Sequence, residues 1–244
     1  MNNKLKIKLD NLYKEAISIP LEEQQSDPLQ VAKLLEHPID ILVCALFSYG
    51  NAKQIVKFLN QINFKNINET DNIKYRFQTI ADVKQILDIA AKIKLNDLFD
   101  SNQLHNEYKL NGIQGVISYL QQLFYDNLEK SNITKGILFY LGKPIIEKSS
   151  KGAYKRYNMY LRWMVRNTDF DLGYWSNIID KADLIIPLDT HIATQCKEFG
   201  FITNKNSTWN NATLITEKLK KYDNLDPIKY DFAIYRMGQS ESKN

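Results

Sequence analysis

The sequence predicts an all-α fold, and three observations carry that prediction. Apolar residues recur at helical spacing along most of the chain. No run alternates for long enough to make a sheet strand. Several apolar segments are bounded by proline or a capping aspartate in front and by glycine behind.

Taken in order, "LDNLYKEAISI" puts Leu9, Leu12, Tyr13, Ala16 and Ile17 on one stripe. "HPIDILVCALFSYG" opens with proline and closes on glycine, as a buried helix does. "NAKQIVKFLNQI" spaces Ile55, Phe58, Leu59 and Ile62 helically. "IADVKQILDIAAKI" and "IQGVISYLQQLF" do the same with Val83, Leu87, Ala90 and with Val116, Leu120, Phe124. "WNNATLITEKLKKY" and "DPIKYDFAIYRMG" are two further amphipathic segments, the second with Asp226 as cap and Pro227 in the first turn. The long connections fall at 63–79 and 142–152, and the polar tail 239–244 is expected to fray.

The 244 residues allow one sizeable globular unit or two small subdomains sharing a core. Hydrophobic residues make up 44% and charged ones 25%, the balance of an ordinary soluble domain. No apolar run reaches the roughly 20 residues of a membrane span. The start mixes charge and apolar residues too regularly for a signal peptide, so a cytoplasmic location and no membrane partner are expected. Two cysteines, Cys44 and Cys196, lie in helical apolar patterns, and His37, His105 and His191 are scattered. That inventory predicts no metal site and no cofactor.

The net charge of +4 is unevenly placed. Between Lys148 and Arg166 there are six cations and no acid, and outside that window 26 cations face 28 acids. A one-sided concentration of this kind is the footprint of a surface that binds a polyanion. On a helical wheel, Tyr157, Tyr160, Leu161, Met164 and Val165 gather on one side. Lys155, Met159, Arg162 and Arg166 gather on the other. Lys155 therefore stands in the first turn of a helix whose outer edge is expected to be cationic. Like charge nearby disfavours an ammonium, and a neutral lysine is an amine nucleophile able to form a Schiff base. Further on, "LIIPLDTHIATQCKEFG" stops an apolar run with Pro187 and delivers Asp189 to the head of a helix. Asp189 reads as an N-cap, and it is also a carboxylate that such amine chemistry can use.

These segments resemble a known family. "YKRYNMYLRWMV" followed by "IIPLDTHIATQCKEFG" looks like the core of the helix–hairpin–helix base-excision DNA glycosylases. There a lysine opens a helix in a K-x-x-[ND] pattern, matched by Lys155 and Asn158, and a later helix begins V-D-T-H-V or similar, matched by Leu188 to Ile192. From about Pro38 to Gly238 the chain is also similar to a sparsely distributed bacterial family of hypothetical proteins, through "YNMYLRWMVR", "LIIPLDTHI" and "DPIKYDFAIYRMG". The chain departs from the glycosylases at the hairpin, usually L-P-G-V-G-x-K, which reads "EKSSKGAYK" with Gly152 alone near its place. It also separates lysine from aspartate by 34 positions, with "NTDFDLGYWSNIIDKAD" resembling an inserted short helix. The cysteines of an iron–sulfur cluster are absent, which points to the cluster-free 8-oxoguanine branches.

The resemblance implies two helical subdomains with a cleft between them, about 38–140 and 1–37 with 141–244. It implies a monomer acting on damaged double-stranded DNA, excising a flipped base, 8-oxoguanine by preference, with lyase activity. Lys155 would attack the anomeric carbon and Asp189 would stabilise the developing positive charge. In the cluster-free relatives a late helix binds the base, which puts Asp231, Phe232 and Tyr235 in the pocket. Asp231 could accept from a guanine-type pairing edge or could instead pair with a lysine or arginine. Tyr49, in the turn with Gly50 and Asn51, is a candidate wedge for the vacated stack or a core tyrosine. Lys148, Lys151, Gly152, Arg162, Arg166 and His191 complete the expected DNA contacts. Three other readings are a glycosylase for another lesion, a non-catalytic helical protein that binds nucleic acid, and a purely structural helical scaffold, which leaves the one-sided charge unexplained.

Overall fold

In the computed structural model of the protein, the described residues are 3–23, 26–70, 72–129, 131, 133–145, 151–168 and 170–241. They form α-helices and short 3₁₀ turns, and among the described residues there is no β-strand. Among the described residues no helix is long and apolar enough to cross a membrane. The chain divides into two compact units, one of residues 25–150 and one of residues 1–24 with 151–244. The boundaries expected at 38 and 140 both move outward. The short helix α2 (Pro28–Ala32) packs on the helices that follow it. Beyond 140, Gln121 holds the chain by donating to the carbonyls of Leu141 and Lys143 and accepting from the amide of Ile145.

The unit of residues 25–150 is built around α3 (Pro38–Phe47), whose residues from Ile39 to Phe47 are all buried. Proline at the first turn and His37 at the cap start it; the His37 ring nitrogen accepts from the amide of Ile39 at 3.2 Å. A helix apolar on every side must be enclosed on every side. Its buried Asp40 is matched by Lys94 at 2.6 Å. Around it lie α4 (Ala52–Leu59), α5 (Ile80–Leu95) and α7 (Lys135–Leu141), and α6 (Ser101–Tyr125) packs on α5. Gly112, at φ 63° and ψ −152°, breaks α6 into two helical stretches. Asp82 joins two helix starts: it closes a capping box with Thr79 on α5 and accepts from the hydroxyl of Thr134, the cap of α7.

The other unit packs α1 (Asn3–Ile17), α8 (Lys155–Val165), α9 (Thr190–Glu198), α10 (Trp209–Lys220) and α11 (Asp231–Glu241). Helix α11 lies against both α9 and α1. Tyr230, just ahead of α11, donates its hydroxyl to Asp10 of α1 at 2.6 Å. Two expectations are corrected here. Asp226 does not cap a helix through its side chain; the turn it opens is 3₁₀ (Pro227–Tyr230), and its carboxylate is taken by Arg166. The tail expected to fray from 239 is helical through Glu241, and 242–244 lie outside the described residues.

Two predictions follow from the shared aspartate. A Cβ at Gly136 would fall 2.5 Å from the Asp82 carboxylate, which is already fixed by three hydroxyl and amide donors. Gly136→Ala is expected to destabilise the protein by about 1–3 kcal/mol in urea unfolding. Burial alone would raise the Asp82 carboxyl, but the hydrogen bonds from Thr134 and Thr79 hold it below the usual carboxylate range. A depressed folded value adds stability that is complete above the unfolded value near 3.9 and is lost as pH falls through the folded one. Asp82→Asn should therefore lose less stability than wild type between about pH 5 and pH 2, read as the slope of melting temperature against pH.

Candidate active site

The lysine side of the site is set by how the chain enters α8. Gly152 makes an isolated antiparallel bridge with Thr208, and the amide of Trp209 donates to the Lys151 carbonyl at 3.0 Å. Asn158, buried in the first full turn, donates back to the Ala153 carbonyl at 2.9 Å. Between these ties Tyr154 adopts left-handed backbone angles, φ 46° and ψ 41°, and caps the helix without a side-chain bond. A non-glycine residue there costs free energy and persists only where its surroundings fix it. The consequence is a sharp corner, with Lys155 as the first residue beyond it.

The aspartate side comes from an extended segment. Leu184, Ile185, Ile186, Pro187 and Leu188 are all buried, and the Ile186 amide donates to the hydroxyl of Thr216 at 3.1 Å. This anchored run presents Asp189 at the head of α9. One carboxylate oxygen accepts from the Ile192 amide at 2.9 Å. The other lies 3.3 Å from Lys155 Nζ. The lysine side chain is 36% exposed and the aspartate 14%, so the amine is reachable from solvent while the carboxylate is held from behind.

Beside the pair, on α9, the ring of His191 meets Tyr235 edge to face at 5.8 Å. Phe232 meets Phe170 in the same manner at 6.0 Å. All four rings are half-buried. Lys151 and Gly152 are exposed, and Lys148 lies outside the described residues.

The arginines are placed differently from the expectation. Arg162 and Arg166 are buried, not displayed on an outer edge. Arg162 pairs with Asp171 at 3.2 Å and with Asp231 at 2.5 Å. Arg166 pairs with Asp171 and makes a two-pronged contact with Asp226, at 2.9 Å through Nε and 2.9 Å through Nη2. Neither guanidinium is presented to a polyanion, so both are withdrawn as DNA contacts. Asp231 is likewise buried and committed to Arg162, which removes it as a reader of a base edge. Burial works against the charge of Arg166, but the hydrogen bonds of Asp226 and the charge of Asp171 outweigh it and hold the guanidinium firmly protonated.

The described residues of the segment 167–183 form turns and no α-helix, with a 3₁₀ turn at Lys181–Asp183. It is integral to α8. The amides of Leu172 and Gly173 donate to the Trp163 carbonyl, and that of Trp175 to the Met164 carbonyl at 2.7 Å. The Trp175 ring meets Tyr160 edge to face at 5.3 Å.

In the unit of residues 25–150, Tyr49 is half-buried. Its hydroxyl donates to Gln78, and its ring packs edge to face on Tyr75 at 4.9 Å and Phe139 at 4.7 Å. The more exposed rings of this cluster are Phe77 and Phe139, which the sequence reading did not single out. Asn51 accepts from the amides of Lys53 and Gln54 and so serves as the cap of α4. Among the described residues no three His, Cys, Asp or Glu side chains gather to hold a metal ion. Cys44 and Cys196 are buried free thiols, both pushed up by burial.

Residues 27–240 match the model of one family, described as a protein of unknown function (DUF2400). The chain belongs to the DUF2400 family. No curated protein and no solved structure matches it. In this DUF2400 chain the matched range contains both residues of the Lys155–Asp189 pair.

Removing one member of the buried ion network strands its partner in a dry environment. Asp226→Ala is expected to cost about 3–5 kcal/mol in chemical unfolding, far more than Lys6→Ala at the partly exposed Lys6–Asp10 pair.

Proposed function

We propose that this DUF2400 chain is a DNA glycosylase with lyase activity, using Lys155 as nucleophile and Asp189 as its carboxylate partner. The observation that carries the reading is the 3.3 Å approach of an accessible amine and a fixed carboxylate that stand 34 positions apart in sequence. The resemblance to the helix–hairpin–helix glycosylases supplies the reaction, and the geometry supports it at both residues it requires.

In this reading the damaged nucleotide leaves the duplex, because its glycosidic bond is unreachable in the stack. The Lys155 amine, once it has given up its proton, attacks the anomeric carbon as the base departs. A second proton loss and opening of the sugar give the Schiff base from which the strand is cleaved. Asp189 faces the positive charge that develops on the sugar, the same electrostatic support that glycosidases give an oxocarbenium-like state. Its other oxygen is occupied by the Ile192 amide, so the carboxylate needs little reorganisation. Contacts to the base fall to His191, Tyr235 and Phe232, since Asp231 is engaged by Arg162. The lesion we assign is 8-oxoguanine, following the cluster-free branches.

The non-catalytic alternative rested on a cationic helix face. With Arg162 and Arg166 paired internally, that face is weaker than the sequence suggested.

Borohydride trapping tests the proposal. Wild type should form a covalent adduct with an abasic duplex and with one carrying 8-oxoguanine, and Lys155→Ala should form neither. Asp189→Asn should slow base release by roughly 100-fold or more while leaving the fold intact. Binding without any adduct would favour the non-catalytic reading. An adduct on abasic DNA with no release of 8-oxoguanine would move the assignment to another lesion.

A further inference from the structure

Exposed rings and unpaired cations coincide at a second place, in the unit of residues 25–150. Phe77 is 60% exposed and Phe139 38%, and their rings meet edge to face at 4.9 Å. Both lie against Tyr49, at 6.0 Å and 4.7 Å between centroids. Tyr49 is tied down by its hydroxyl bond to Gln78 and by Tyr75, whose own hydroxyl donates to the Tyr49 carbonyl at 2.8 Å. Tyr75 in turn stacks on Phe58 at 4.2 Å. Packed rings form a fixed support, and two phenyl rings on it reach solvent.

Backbone strain and a vacated side-chain position keep a cation here. Arg76 adopts a left-handed backbone, φ 54°, which a residue other than glycine keeps only where its surroundings fix it. Its guanidinium lies over the Tyr49 ring, 5.7 Å from the centroid. It fills the space that a Cβ at Gly50 would need, and Gly50 itself has φ 102°. Three segments build the patch, 48–60, 72–81 and 133–142. They carry Lys53, Lys57, Lys74, Arg76 and Lys135 and no acid. All five are exposed, and none is paired with a carboxylate among the described residues. Lys135 stands one turn before Phe139 on the same face of α7. Asp82, the next acid along the chain from Arg76, is buried and bonded to Thr79 and Thr134. Unlike Arg162 and Arg166, these cations keep their charge for a partner.

We propose that this patch binds single-stranded DNA, with Phe77 and Phe139 stacking on unpaired bases while Arg76 and Lys135 hold the flanking phosphates. An apolar protein surface would use the rings and leave five charges unanswered. A polyanion without bases would use the charges and leave the rings in water. An unpaired strand uses both, because every base has a face to stack and every link a phosphate. A duplex does not offer those faces, since each base is covered by its neighbours. Tyr49, the ring expected as a wedge in a duplex, belongs to the support and not to the contact surface. The choice of DNA as the strand rests on the proposed function; the requirement for unpaired bases does not.

Fluorescence anisotropy with a labelled oligothymidylate of about 12 nucleotides tests this at low salt. Wild type should bind it. Phe77→Leu and Phe139→Leu, which keep apolar bulk but remove a ring, should each bind roughly tenfold more weakly. Phe77→Trp should bind at least as tightly as wild type. An oligomer of the same length built only of abasic sites should bind wild type roughly tenfold more weakly, a comparison that stands even where a variant fails to fold. Replacing Arg76 and Lys135 together by glutamine should reduce the slope of log affinity against log salt by about 1.4. Equal affinity of wild type and folded Phe77→Leu overturns the proposal, as does equal affinity for the abasic oligomer or no binding at all. Dimerisation of wild type that Phe77→Leu abolishes, seen by sedimentation, gives the patch to a second copy and overturns it too. Tenfold tighter binding of oligouridylate overturns the choice of DNA. Strand binding that depends on Phe77, with no borohydride adduct on any DNA, defeats the glycosylase reading and supports this inference. A normal adduct with no strand binding defeats this inference alone.

Discussion

The buried ion network of Arg162 and Arg166 with Asp171, Asp226 and Asp231 constrains the unit that carries the site. Taking any one of these charges out of water unaided costs several kcal/mol, so each guanidinium must find its carboxylates before α8 can be enclosed. The partners come from three places: the turns after α8, the turn at Asp226 and the first residue of α11. All three must converge on one side of α8 while Tyr157, Tyr160, Leu161, Met164 and Val165 bury the other. That fixes the rotation of the helix about its axis, and so the direction in which its first residue, Lys155, projects. Planar guanidiniums suit the task because a two-pronged contact, as between Arg166 and Asp226, sets orientation as well as distance.

The wheel drawn for α8 predicted the buried apolar face correctly and still misread the opposite one. It counted what lies on each face of a helix, and a face with two arginines looks wet unless its partners are known. Those partners sit five to 69 positions away, beyond the reach of any periodicity. Asp171 was further disguised inside a stretch that resembled an inserted short helix. Elsewhere the pattern held where burial was one-sided or complete, as in α3 and α5, and failed where it was faint. The first half of α6, "SNQLHNEYKLN", has Leu104 as its fully buried apolar residue and so shows almost no stripe. Helices α2 and α7 have five and seven residues, too short for a period to declare itself.

Within the site the two key residues were legible to different degrees. The role of Asp189 as a cap is written in local sequence: a buried apolar run, a proline, then a carboxylate just before a helix. Its nearness to Lys155 is not, because nothing in 34 residues of spacing says where the chain returns. Resemblance to a family, not periodicity, suggested that meeting. The left-handed turn at Tyr154 was invisible for another reason. Glycine and asparagine advertise such a conformation, and a tyrosine does not. Gly152, two residues earlier, makes the bridge to Thr208.

Internalising the arginines also changes what the basic window can mean. Six cations without an acid looked like one electrostatic surface, but two of them spend their charge on three carboxylates inside the protein. The field near Lys155 is therefore set by neighbours at ion-pair range, and not by the summed charge of the helix. Short-range pairs in a partly buried setting are screened far less by salt than a solvated cationic stripe would be. The cap bond to Ile192 and the guanidinium of Arg162 hold two carboxylates in place.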